Sequence, residues 1–258
     1  MPIENLEIYN ARMAAGYADK LFFLEKLDAL GEPDKIDTVV DFGCADGEMF
    51  KYLPKRWKKI GVDNSAQMRK AAAENYPAAD YVSSLYEANR LKEGKTLLIM
   101  SSVLHEIYSY CPKDETDDIW KAFREGAYDF IAIRDMCPSK AGERKADKDA
   151  AEKVLSSSKR ELFEDFRTKF LKGKEEFTQN DLVHFLLKYR YKENWDRERD
   201  EDYFSFSQEE LCRRISSERT EIIYMEHFVL PYIRETVKTD IGYEIKDATH
   251  LKMLARRT

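Results

Sequence analysis

The stretch Thr38-Val39-Val40-Asp41-Phe42-Gly43-Cys44-Ala45-Asp46-Gly47-Glu48 constrains this chain more than any other. Apolar and β-branched residues at 38–42 read as a buried strand. The small residues at 43, 45 and 47 bend the chain and let a ligand come close to the backbone, and the helix expected next offers unpaired N–H groups at its start. A second apolar run, Ile60-Gly61-Val62, ends in Asp63, a carboxylate in position to accept hydrogen bonds from the two hydroxyls of a ribose. Strand, turn, helix and a second strand ending in an acid make the nucleotide-binding corner of a doubly wound sheet.

Spacing narrows the choice of nucleotide. A dinucleotide fingerprint, Gly-x-Gly-x-x-Gly, requires glycine at the position of Glu48, and no Gly-Lys-Ser/Thr of a phosphate-binding loop follows the turn. What remains, Asp41-x-Gly43-x-Ala45-x-Gly47 followed by the acidic strand end at Asp63, resembles the first two motifs of the class I S-adenosylmethionine-dependent methyltransferases. Ala45 departs from the glycine usual in that family and narrows the pocket floor by one methyl. The resemblance implies S-adenosylmethionine as cofactor, with Asp41, Gly43, Ala45, Gly47 and Asp63 around it. It also implies adenine contacts from Ser84 and Leu85, where serine replaces the family's common acid.

The segment Met100-Ser101-Ser102-Val103-Leu104-His105-Glu106-Ile107 is similar to the family's strand-four motif, which passes beside the methionine part of the cofactor. Ser101 is thereby a cofactor-binding candidate. Some small-molecule O-methyltransferases carry a general-base histidine here, which makes His105 the catalytic candidate. Asp135, at the end of Ile131-Ala132-Ile133-Arg134-Asp135, falls where those enzymes place an acid that orients the base or binds the acceptor. The chemistry is coherent, because a hydroxyl of high pKa attacks a sulfonium methyl poorly until a neutral imidazole takes its proton. A histidine that only packs at the strand–helix junction fits the same sequence. Glu106 and Arg134 read as salt-bridge partners, and His184, His227 and His250 as structural residues without metal-ligand spacing.

At 258 residues the chain suffices for one large domain, or one domain with an insertion. Its four cysteines, Cys44, Cys111, Cys137 and Cys212, include no Cys-x-x-Cys pair and suggest neither zinc nor disulfides. The chain has no apolar run of membrane-spanning length, and Met1-Pro2-Ile3-Glu4 lacks the features of a signal peptide. A cytoplasmic protein without membrane partners is expected. The net charge of −6 argues against a nonspecific binder of phosphate backbones.

Along the chain, apolar positions at helical spacing (Leu6, Tyr9, Met13, Tyr17, Leu21, Leu24, Leu27) predict leading helices over 3–30, a cap of residues 1–35 that also carries Arg12. Strands are expected at 36–42, 57–62, 79–82, 96–101 and 130–133, with helices at 46–53, 65–75, from 103 and over 115–126. Two closing strands, 221–225 and 249–254, match the antiparallel pair in which the family ends. The fold class expected is α/β: a doubly wound, mostly parallel seven-stranded sheet with an antiparallel C-terminal pair. A Rossmann-like core would comprise 36–138 and 218–258, and residues 139–217 would form a helical insertion between strands five and six. Within it, helices are expected at 159–171, 179–189 and 208–215, the last opened by a capping box of Ser207 and Glu210. The insertion holds rings interleaved with cations from Phe185 to Arg197. These read either as a lid that selects the acceptor or as a surface that stacks bases and holds phosphates.

The sequence thus predicts methyl transfer to oxygen, less readily nitrogen, of an acceptor that is a small molecule or an RNA or nucleotide. The rival reading is a noncatalytic binding or scaffold protein that keeps the fold.

Overall fold

The computed structural model describes residues 17–216 and 219–258. The first half of the expected leading helix, Tyr9 and Arg12 included, therefore lies outside the described residues. What is described of it divides at Leu21 into α1 (Tyr17–Lys20) and α2 (Phe22–Ala29). Gly31, at φ +64°, ends the run where Gly-Glu-Pro stops it in sequence.

Strands and helices then alternate: β1 (Thr38–Phe42), β2 (Lys58–Val62), α3 (Ala66–Asn75), β3 (Asp80–Val82), α4 (Leu85–Leu91) and β4 (Thr96–Ser101). They continue as α5 (Leu104–Tyr110), α6 (Lys113–Gly126) and β5 (Phe130–Met136). One element differs from expectation. The helix expected at 46–53 is a five-residue 3₁₀ turn, Glu48–Tyr52, because Gly47 enters it at φ +74° and Pro54 follows close behind. Ser65 caps α3, its hydroxyl accepting from Met68 N–H. Helix α4 begins at Ser84, whose hydroxyl accepts from Glu87 N–H, a cap that the sequence reading left unused.

After β5 come α7 (Lys148–Ser156), α8 (Arg160–Lys169), α9 (Gln179–Lys188), α10 (Trp195–Asp200) and α11 (Gln208–Ser216). The chain closes with β6 (Thr220–Phe228), α12 (Pro231–Ile241) and β7 (His250–Arg257). The capping box at α11 forms, with Ser207 N–H donating to Glu210 and Glu210 N–H donating to Ser207 Oγ.

The seven strands make one sheet in the order β3-β2-β1-β4-β5-β7-β6, and β1 to β5 run parallel. β7 is antiparallel to both its neighbours. Cys137 N–H donates to Thr249 O and Arg257 N–H to Asp129 O on one side, and Thr249 N–H to Phe228 O and Thr258 N–H to Arg219 O on the other. Partner numbers that rise on one strand as they fall on the other define an antiparallel ladder.

The chain forms two compact units. One, taken over its described residues, comprises 17–135, 212–226 and 252–258. Its core packs Phe22, Phe23 and Leu27 of α2 with Phe50, Trp57, Leu97, Ile99 and Phe130. The other comprises 136–211 and 227–251, so α12 belongs with the helices that follow β5. There Phe163, Phe166, Leu182, Phe185, Leu186, Ile233 and Val237 make a separate core.

Candidate active site

The candidate residues lie at the carboxyl ends of β1, β2, β4 and β5 and in the loops that follow them. At the exit of β1 three residues take left-handed backbone conformations in alternation: Gly43 at φ +80°, Ala45 at +46° and Gly47 at +74°. Gly43 must be glycine for a second reason, since a Cβ there would lie 2.5 Å from Val103 Cγ2. The turn is tied down by Gly43 and Cys44 N–H groups, both donating to Val62 O. Of the N–H groups just beyond it, Glu48 N–H donates to Asp46 Oδ1 and Phe50 N–H to Gly47 O, the first bond of the 3₁₀ turn.

Asp63 closes the same corner from β2. Its Oδ2 accepts from Ala45 N–H at 3.0 Å and its Oδ1 from Ser65 N–H at 2.9 Å. Partial burial raises its pKa, while these two bonds lower it. A carboxylate accepts about four hydrogen bonds, so each oxygen keeps room for one more donor. Asp41, at the end of β1, is fully buried, and burial pushes its carboxyl up to about 7. Lys20 of α1, itself buried and lowered to about 8, bears on Asp41 from the opposite sign of charge.

Ser101 Oγ, at the end of β4, is buried and makes no hydrogen bond to any described residue. Ser102 follows at φ +56°, held there by its own N–H donating to Arg134 O and by Arg134 Nη1 donating to Ser102 Oγ at 2.8 Å. Arg134 also pairs through Nε with Asp19 at 3.0 Å, as a salt-bridge residue does. The strained turn aims the chain into α5. There His105 and Asp135 meet: His105 Nδ1 lies 2.6 Å from Asp135 Oδ1. Asp135 has no exposed surface, and its Oδ2 accepts from Val103 N–H at 3.1 Å and Leu104 N–H at 2.8 Å. It therefore fixes the start of α5 as well as the histidine ring. Sequence reasoning paired His105 with Asp135 but had no signal for this second anchoring.

The adenine candidates stand differently. Leu85 is buried and the Ser84 hydroxyl is engaged as the α4 cap, while Ser83 N–H donates to Glu87. In the helical unit, Phe185, Lys188 and Tyr189 are buried, Tyr189 O–H donates to Asp240, and Trp195 Nε1 donates to Asp165. Phe185 and Tyr189 are part of that unit's core, with Trp195 partly buried against it. His184 is structural as expected, its Nε2 accepting from Tyr203 N–H at 3.1 Å.

No protein-family model and no curated protein matches this sequence. Solved structures do match its fold. A putative sarcosine dimethylglycine methyltransferase from Galdieria sulphuraria is 10% identical with a TM-score of 0.53, over 95% of this chain and 88% of that one. The methyltransferase domain of bacterial CtHen1-C is 11% identical with a TM-score of 0.50, over 94% and 98% of the two chains. At such identities the likeness is one of fold: this chain has the Rossmann-like architecture of the methyltransferases.

Proposed function

We propose that this chain is a class I S-adenosylmethionine-dependent methyltransferase that transfers a methyl group to an oxygen of a small-molecule acceptor. The observation that carries the reading is the corner at β1 and β2, where three alternating left-handed residues are bound to Asp63 through Ala45 N–H. The residues present fit the cofactor. Asp63 retains acceptor capacity for ribose hydroxyls, and Ser101 Oγ is a buried hydroxyl lacking a partner among the described residues. Asp41, Gly47, Ser84 and Leu85 complete the proposed binding set. S-adenosylmethionine, when bound, supplies an electrophilic methyl on a sulfonium.

The chain's own contribution is alignment and proton removal. Asp135 Oδ2 is filled by two backbone donors, and Oδ1 is the acceptor facing the ring, so Nδ1 of His105 carries the proton and Nε2 the lone pair. Nε2 then takes the acceptor hydroxyl's proton, and Asp135 holds the imidazolium that forms. A small acceptor is favoured over RNA because Phe185 and Tyr189, the first two rings of the aromatic segment, are buried in the core of their own unit. The test is calorimetric titration with S-adenosylhomocysteine, followed by transfer of labelled methyl into extracts separated into small-molecule, RNA, DNA and protein fractions. Binding with label in the small-molecule fraction supports the proposal; no binding defeats it, and binding without transfer returns the scaffold reading.

A further inference from the structure

Arg190 follows the end of α9 in the unit formed by 136–211 and 227–251. Its guanidinium carbon lies 5.4 Å from the centre of the Tyr191 ring and 5.0 Å from that of Tyr232, at the first turn of α12. Two of its nitrogens, Nε and Nη2, are buried and make no hydrogen bond to any described residue. The other buried or bridging arginines of this unit are matched. Arg144 grips Asp247 with two bonds, and Arg199 bonds Asp165, Asp196 and Asp200. The acid beside Arg190's own helix end, Asp240, accepts instead from Tyr189 O–H.

The two unmatched nitrogens share one edge of the guanidinium, whose parallel N–H bonds fit the two oxygens of a carboxylate. A buried donor without a partner is costly, the more so when charged, so a buried fork beside two rings calls for an oxyanion. One fork carries a single positive charge and balances one carboxylate; a phosphate dianion would leave a negative charge over. Tyr232 is 52% exposed and sits on the first turn of its helix, where its ring offers an apolar face to meet the ligand's body.

We propose that Arg190, flanked by Tyr191 and Tyr232, is a binding site for the carboxylate of a small organic acid. The site stands apart from the methyl-transfer reading, and its test needs no S-adenosylmethionine. Benzoate is titrated into the full chain while the Arg190 Nε–H resonance is followed by NMR, with benzamide as the neutral control of equal shape and inorganic phosphate as the competing oxyanion. Benzoate should shift that resonance saturably, and benzamide should not. By calorimetry Arg190→Gln should weaken benzoate binding roughly ten-fold or more, and Arg190→Lys, which keeps charge without the fork, should recover only part. A benzoate titration that leaves the resonance unmoved, equal binding of benzamide, or unchanged affinity in Arg190→Gln would overturn the assignment. So would tighter binding of phosphate than of benzoate. If Arg190→Gln does not fold, the wild-type titrations decide alone.

Discussion

Asp63 receives backbone N–H groups from both sides, Ala45 at 3.0 Å and Ser65 at 2.9 Å, so its carboxylate shapes the turn and faces the proposed ribose with the same two oxygens. Asp63→Ala should therefore weaken S-adenosylhomocysteine binding by roughly ten- to a hundred-fold, the value of hydrogen bonds to a charged group, with some loss of thermal stability from the freed loop. Calorimetry on the folded variant measures the first and a melting curve the second. His105 separates differently. If its ring takes the acceptor proton, His105→Ala should lower kcat by about a hundred-fold while cofactor affinity holds. The loss should shrink for acceptors of low pKa, which arrive already ionised. A variant that melts earlier, binds cofactor less well and turns over near-normally would mean that the ring only braces α5.

At the scale of elements, the turn after β1 is the least forgiving. Gly43→Val adds a branched side chain at φ +80° with its Cβ 2.5 Å from Val103 Cγ2, so the turn and the start of α5 must both move. We expect a stability loss of about 1–3 kcal/mol in urea unfolding and no measurable S-adenosylhomocysteine binding. This corner was legible in the sequence because glycine is the residue that takes such backbone angles without strain, and the strands were legible because buried parallel strands are continuous apolar runs. Elements whose stability comes from tertiary packing were harder. Helix α4 hides behind the polar pair Ser83-Ser84, and α7 reads as charge and alanine until Ala150 and Val154 are seen buried. For α12 the signals were present and went unread: Pro231 at its first position, Ile233, Val237 and Ile241 on one face, and Gly242 at φ +73° after its end. The aromatic-basic run could not be assigned from sequence, since inward rings and stacking rings share one composition. Packing decides between them.

Across the whole molecule, the two units carry buried ionisable groups with opposite responses to pH. Asp41 is raised by burial from 3.8 to about 7, so between those values the folded state holds a proton that the unfolded chain releases. Its stabilising contribution, complete below 3.8, is lost as pH rises through about 7. Lys188, in the other unit, is lowered by burial from 10.5 to about 7, and its amine donates to the carbonyls of Arg199 and Glu201. Its contribution is complete above 10.5 and is lost as pH falls through about 7. Urea unfolding of Asp41→Asn should thus remove a slope confined to the acid side of neutrality, and Lys188→Met one confined to the alkaline side. Slopes unchanged from wild type would show these groups to be less perturbed than their burial implies.

The sheet order has a further consequence, in time rather than in space. Among the described residues β6 lies at the sheet's edge with β7 as its one neighbour, and β7 also covers β5, yet β7 comes after both in the chain. A ribosome delivers β1 to β5 ready to pair, then β6 with nothing to join, and supplies the strand that joins them only after α12. Until then β5 and β6 each present an unpaired backbone edge, the kind of surface that recruits other chains. A chain that ended between Gly242 and His250 would lack β7 and leave the β5 edge of the sheet open.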